Sequence, residues 1–187
     1  MKSERGFTLI ELLVSSMLSI IVLGVAGGIL INALSTERTV QSSNQASNVA
    51  QLVAQSVTSG VRHASALRLS SPTSSSQVLR ALIVDNALAE PAVAHCQAWY
   101  YGAGEVRTIT SPTAIPVPAN TAAASGWTLL ADGAEQVGVV PVFAVSGTLV
   151  DVTVQFTTSM GLTVLIDTTA VGRQSALPPT EVANLCF

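Results

Sequence analysis

The sequence predicts an α+β fold: a long N-terminal α-helix, half transmembrane and half amphipathic, packed on an antiparallel β-sheet head. Three observations predict it. Residues 12–36 carry no charged side chain. Beyond them, apolar residues recur every three or four positions up to about Leu67. After that the pattern changes to strict alternation, most plainly from Val150 to Phe156. A helical period followed by a strand period reads as helix first, sheet second.

The apolar run comes first. From Leu12 to Leu34, at about 1.5 Å per residue, a helix is long enough to cross a bilayer core of about 30 Å. Lys2 and Arg5 precede it. Positive charge before a span keeps that end cytoplasmic and sends the rest outside. The outside is oxidising, which permits a bond between the two cysteines, Cys96 and Cys186. Two buried free thiols are the alternative.

Glu11 sits near the head of this run. A carboxylate deep in a membrane helix costs roughly 2.5–3.5 kcal/mol on insertion scales, less near an end. A plain single-span anchor has no use for it. Neither has a secretory signal peptide cleaved after Ala26 in "GVAG". A use arises if the chain is cut between Gly6 and Phe7. Phe7 then carries a free amine at the head of a helix, and Glu11 lies one turn on, on the same face. The carboxylate complements the helix dipole. Amine and carboxylate, paired within one chain or between neighbours, lower each other's desolvation cost.

The stretch "GFTLIELLVS", Gly6 to Ser15, behind the short charged leader "MKSERG", closely resembles the prepilin signal of type IV pilins and pseudopilins. The resemblance implies cleavage after Gly6 by a prepilin peptidase and N-methylation of Phe7. It implies that Glu11 guides docking into a growing filament. It also implies the partners: other pilins or pseudopilins, the inner-membrane assembly platform, and membrane lipid before assembly. Many major pilins carry a proline in mid-segment; here Gly24, Gly27 and Gly28 cluster instead. Glycine lowers helix stability by about 1 kcal/mol relative to alanine. Gly24 and Gly28 also form a small-xxx-small pair suited to close helix contact. A melting point and a tolerated glycine cluster both fit.

Residues 1–6 thus read as a leader peptide and 7–34 as a transmembrane and assembly helix. Residues 35–69 read as its amphipathic continuation and 70–187 as an extracellular β-rich head. Ala46, Val49, Val53, Val57, Val61, Ala64 and Leu67 form one apolar stripe, with Gln51, Gln55, Ser59 and Arg62 opposite. "SSPTSSS", Ser70 to Ser76, is expected to end the helix in a loop. "LRALIV", Leu79 to Val84, is a first weak strand. "CQAWYYGAGEVRTIT" reads as strand, turn at Gly102 to Gly104, strand. The proline-rich "PTAIPVPANTAAASG" reads as loop. "VGVVPVFAVSG" reads as a strand whose Pro141 suggests an edge or bulge. The hairpin within "TLVDVTVQFTTSMGLTVLID" buries Val150, Val152, Val154 and Phe156 from its first strand, and Leu162, Val164 and Ile166 repeat this in its second.

The order of "CQAWYY", "LLADGAEQV" and the long hairpin is similar to PilW-like minor pilins and J-type pseudopilins. The resemblance implies that Cys186 ties the last segment to the sheet through Cys96. It implies a minor subunit that assembles into, or primes, a cell-surface filament. A pseudopilin of a type II secretion or competence apparatus shares the same N-terminus.

Composition excludes much else. Net charge is −3 and Lys2 is the only lysine, so direct nucleic-acid binding has no basic footprint. No catalytic constellation, metal set or cofactor motif is present. His63 reads as a surface or interface residue, and His95 has no further His or Cys at ligand spacing. Trp99, Tyr100, Tyr101 and Trp127 read as core aromatics. The chain therefore reads as a structural protein and not an enzyme.

Overall fold

The computed structural model describes residues 8–86, 93–158, 161–172 and 186–187. One helix, α1 (Leu9–His63), precedes nine strands among these residues. The chain divides into two compact units, residues 1–42 and 43–187.

In the second unit, the rest of α1 lays a valine stripe on the core. Ala50, Val53, Val57, Gly60 and Val61 are its buried residues. They recur at three- and four-residue spacing, so they share one face. Full burial of a valine is worth roughly 1.5–3 kcal/mol relative to exposure. That row ties the helix to the sheets.

The helix ends at His63, not near Leu69 as its pattern suggests, and β1 (Ala64–Thr73) follows without a loop. Ala64 and Leu67 continue the helical spacing. Leu67 and Leu69 also alternate, and both pack against the main core while Ala66 faces a second one. Pairing with β2 (Ser76–Asn86) decides between the readings, because it supplies a ladder from Ala64↔Ile83 to Thr73↔Ser76. "SSPTSSS" is therefore the tip of a β-hairpin. Pro72 is accommodated on the edge strand, at a register shift between Ser70 and Thr73.

β3 (Val93–Gly102), β4 (Glu105–Ser111) and β5 (Thr128–Asp132) complete a five-stranded antiparallel sheet in the order β1-β2-β3-β4-β5. The β3–β4 turn places Ala103 at φ 51° and Gly104 at φ 81°. Two successive positive φ values match the right-handed twist of a hairpin. The second sheet centres on β8 (Leu149–Thr157). β9 (Thr163–Val171) pairs one side of it; β7 (Phe143–Ser146) and β6 (Ala134–Glu135) share the other.

Val150, Val152, Val154 and Phe156 are buried, and Val164 and Ile166 pack against the same core. Leu162 lies before β9 and is exposed. "VGVVPVFAVSG" forms a strand only from Phe143. Gly138 takes a positive φ, Val140 N closes a turn on Val137 O, and Val139 is 95% exposed. Pro141 has no N–H to offer a ladder.

The five-stranded sheet is covered on both faces. Leu79, Ala81, Ile83, Trp99 and Val106 meet the α1 valines and the β8 face. On the opposite face, Leu82, Cys96 and Ala98 pack with Ile115, Cys186 and Phe187, while Val78 and Tyr100 pack with Ala124 and Trp127. Cys96 and Cys186 are disulfide-bonded with Cα atoms 5.5 Å apart, across a separation of 90 residues. Arg80 is buried on this face. Its Nη1 donates to Ile115 O and its Nη2 to Ser70 Oγ, both at 3.3 Å, and its Cζ lies 5.4 Å from the Phe187 ring centroid. Burial first, and Arg68 second, hold the Arg80 pKa below its ordinary value. The tail segment 173–185 lies outside the described residues.

Candidate assembly segment

The first unit consists of α1 up to residue 42. Thr8 starts it. Glu11 N donates to Thr8 O at 3.1 Å and more weakly to Thr8 Oγ1 at 3.4 Å; Leu12 N donates to Thr8 O at 3.2 Å. Thr8 is thus the N-cap, satisfying an N–H that the first turn would leave open. "TLIE", Thr8 to Glu11, has the spacing of a capping box. That signal was readable and concerns the residue immediately after Phe7. Gly6 and Phe7 themselves lie outside the described residues.

Glu11 lies in the first helical turn, where the helix dipole favours a carboxylate. Around and beyond it, the large apolar side chains from Leu9 to Leu34 are between 48% and 80% exposed. The helix is long and apolar enough to cross a membrane, and none of its most apolar window is buried. An uncovered apolar surface of this extent fits lipid or other protein, not water.

Several hydroxyls of this unit bond to their own helix. Ser16 Oγ donates to Leu13 O at 2.9 Å, and Thr36 Oγ1 donates to Asn32 O at 3.0 Å. Such back-bonding satisfies hydroxyls where water is absent. Gly24, Gly27 and Gly28 are all helical, and a Cβ at any of them would meet nothing within 4 Å. They leave a notch of bare backbone on an otherwise bulky helix, the shape that a second helix can approach closely.

A family model described as the prokaryotic N-terminal methylation motif matches residues 1–27. This match covers the N-terminal segment alone and supports a type IV pilin-like family of the prepilin type. No curated protein and no solved structure matches the chain. One apolar N-terminal helix accompanies the motif, as fits a single-pass membrane protein. Members of the pilin-type family are structural subunits.

Proposed function

We propose that this type IV pilin-like protein is a minor subunit that assembles into, or primes, a cell-surface filament. A prepilin peptidase cleaves after Gly6, and the Phe7 amine is methylated. The head stands outside the membrane. Glu11 of one subunit pairs with the Phe7 amine of a neighbour, so the inner-membrane assembly platform adds subunits in one register. The bare backbone at Gly24, Gly27 and Gly28 lets the helices pack closely in the filament core.

One observation carries this reading. Residues 9–34 of the helix keep one carboxylate, Glu11, at the head of an exposed apolar surface, within a methylation motif. Lipid alone gives no reason to retain that charge, whereas pairing between subunits does.

The test compares the wild-type protein with Glu11→Ala. Edman sequencing of the mature chain is expected to begin at Phe7 in both. The variant is expected in the membrane fraction but missing from sheared filaments. A mature N-terminus elsewhere, or normal recovery of the variant in filaments, overturns the proposal. Loss of protein secretion without any surface filament would assign the chain to a secretion apparatus instead.

A further inference from the structure

The sequence contains only two histidines, His63 and His95. They belong to different elements, the last turn of α1 and strand β3. Nothing in their sequence spacing relates them. The fold brings both to one open cleft of about 340 Å³, together with Ser56, Ser59, Gly60, Ile83 and Gln97.

The convergence has a structural cause. Along α1, Ser59 and Gly60 lie three and four residues beyond Ser56, and His63 lies four and three beyond them, so the four line one stripe. Along β3, His95, Gln97 and Trp99 alternate onto the face that meets α1, and the register sets Ile83 opposite His95. The valine packing of the core therefore gives way, at this end of the helix, to imidazole, hydroxyl and carboxamide groups.

The His63 ring is oriented. Its Nδ1 lies 2.7 Å from Ser59 O. A carbonyl only accepts, so Nδ1 carries the proton in that bond. Neutral His63 then presents an unprotonated Nε2. This arrangement, one ring nitrogen bonded to a backbone carbonyl and the other available, is the one that metal-ligating histidines adopt. The end of α1 adds a favourable field, since the C-terminal carbonyls of a helix attract cations. Arg62 is solvent-exposed, where water and salt screen its charge.

We propose that His63 and His95 form a binding site for a divalent late-transition-metal ion. Imidazole suits Cu²⁺, Ni²⁺ and Zn²⁺ and not the oxygen-seeking Mg²⁺ or Ca²⁺. Among the described residues no cluster of three or more His, Cys, Asp and Glu side chains could hold the ion. Water fills the remaining positions, so the ion exchanges readily. The site lies wholly within residues 43–187 and does not depend on the filament role.

The test titrates Cu²⁺ into the full-length protein in detergent micelles at neutral pH. Calorimetry is expected to show saturable binding, and the electron paramagnetic resonance spectrum to show coupling to two imidazole nitrogens. His63→Ala and His95→Ala should each weaken binding by at least the roughly 10–100-fold that losing an orienting partner costs a metal site. Each should also reduce the coupling to one nitrogen. Acidification should release the ion, because protons compete with the metal for the ring nitrogens. Wild-type binding no tighter than that of the double variant overturns the proposal. So does a spectrum with two-nitrogen coupling after either single replacement.

Discussion

The Gln77 carboxamide closes a two-bond ring on the Phe143 peptide. Its Oε1 accepts from Phe143 N at 2.9 Å, and its Nε2 donates to Phe143 O at 3.2 Å. Gln77 belongs to β2 of the five-stranded sheet, and Phe143 opens β7 of the other. The side chain acts as a piece of strand that joins two sheets. Phe143 is fully buried, so without this partner its peptide groups lose bonds that water replaces poorly. Gln77→Leu should therefore destabilise the head by roughly 1–3 kcal/mol, read by urea unfolding. Gln77→Glu is more diagnostic. An ionised carboxylate cannot donate to Phe143 O; a protonated one both donates and accepts. The folded state then prefers the neutral acid and raises its pKa. The lost stability should return below the unfolded carboxyl value of about 4.3 and disappear as pH rises above it. A Gln77→Glu variant as stable as wild type at neutral pH would contradict the bridge.

Gly60 marks where helix and sheet come closest. A Cβ at this position would collide with the Trp99 ring and stand 2.8 Å from Gln97 Oε1. Trp99 is fixed there, since its Nε1 donates to Ser56 Oγ at 2.9 Å. Two effects oppose each other in Gly60→Ala. Helix propensity favours alanine by about 1 kcal/mol. Overpacking of a buried contact costs roughly 1–3 kcal/mol. The ring cannot move without breaking its bond to Ser56, so overpacking should win. The expected result is a lower denaturation midpoint with a changed near-ultraviolet tryptophan signal. A gain in stability would show that Trp99 has room to shift.

What could be read in the sequence follows from which interactions are local. The Val53, Val57 and Val61 stripe and the Val150 to Phe156 alternation are periodic, and the buried sides follow directly. The end of α1 at His63 was not legible, because "ASALRL" suits either period and only the β2 partner decides. The apolar "VGVV" run imitates a strand, yet Gly138 and Pro141 turn it outward. The Thr8–Glu11 cap was legible in "TLIE". The meeting of His63 with His95 was not, since it depends on the register that sets Ile83 against His95. Strand order was beyond reach for the same reason.

The Cys96–Cys186 bond closes a long loop, with 90 residues of separation, and pins the chain end beside Arg80. In the chain-entropy account, a loop of this size restrains the unfolded chain by roughly 4–5 kcal/mol. Cys96→Ala with Cys186→Ala should lower the denaturation midpoint accordingly. Phe187 would be released from the Arg80 guanidinium, and protease cleavage near the C-terminus should accelerate. Non-reducing digestion of the wild type should yield one linked peptide pair. Two separately alkylated cysteine peptides would remove the bond from the account.

Tyr101 gives a prediction at alkaline pH. It is 8% exposed, and its hydroxyl pKa is raised above the ordinary 10.0. Burial is the main cause and the Glu135 carboxylate adds to it; a hydrogen bond from the Gln136 backbone opposes both. Below the unfolded value both states carry the neutral phenol, and the stabilisation is fully present. As pH rises past it, the unfolded chain ionises first, while the folded one resists placing a second negative charge beside Glu135. Stability should therefore fall as pH rises from about 10, the slope following the difference in bound protons between the two states. Tyr101→Phe removes the titrating group and should flatten that fall, at some cost at neutral pH from the lost Gln136 bond. Unfolding midpoints across the alkaline range, measured on both proteins, decide it: parallel curves would mean that Tyr101 ionises alike in both states.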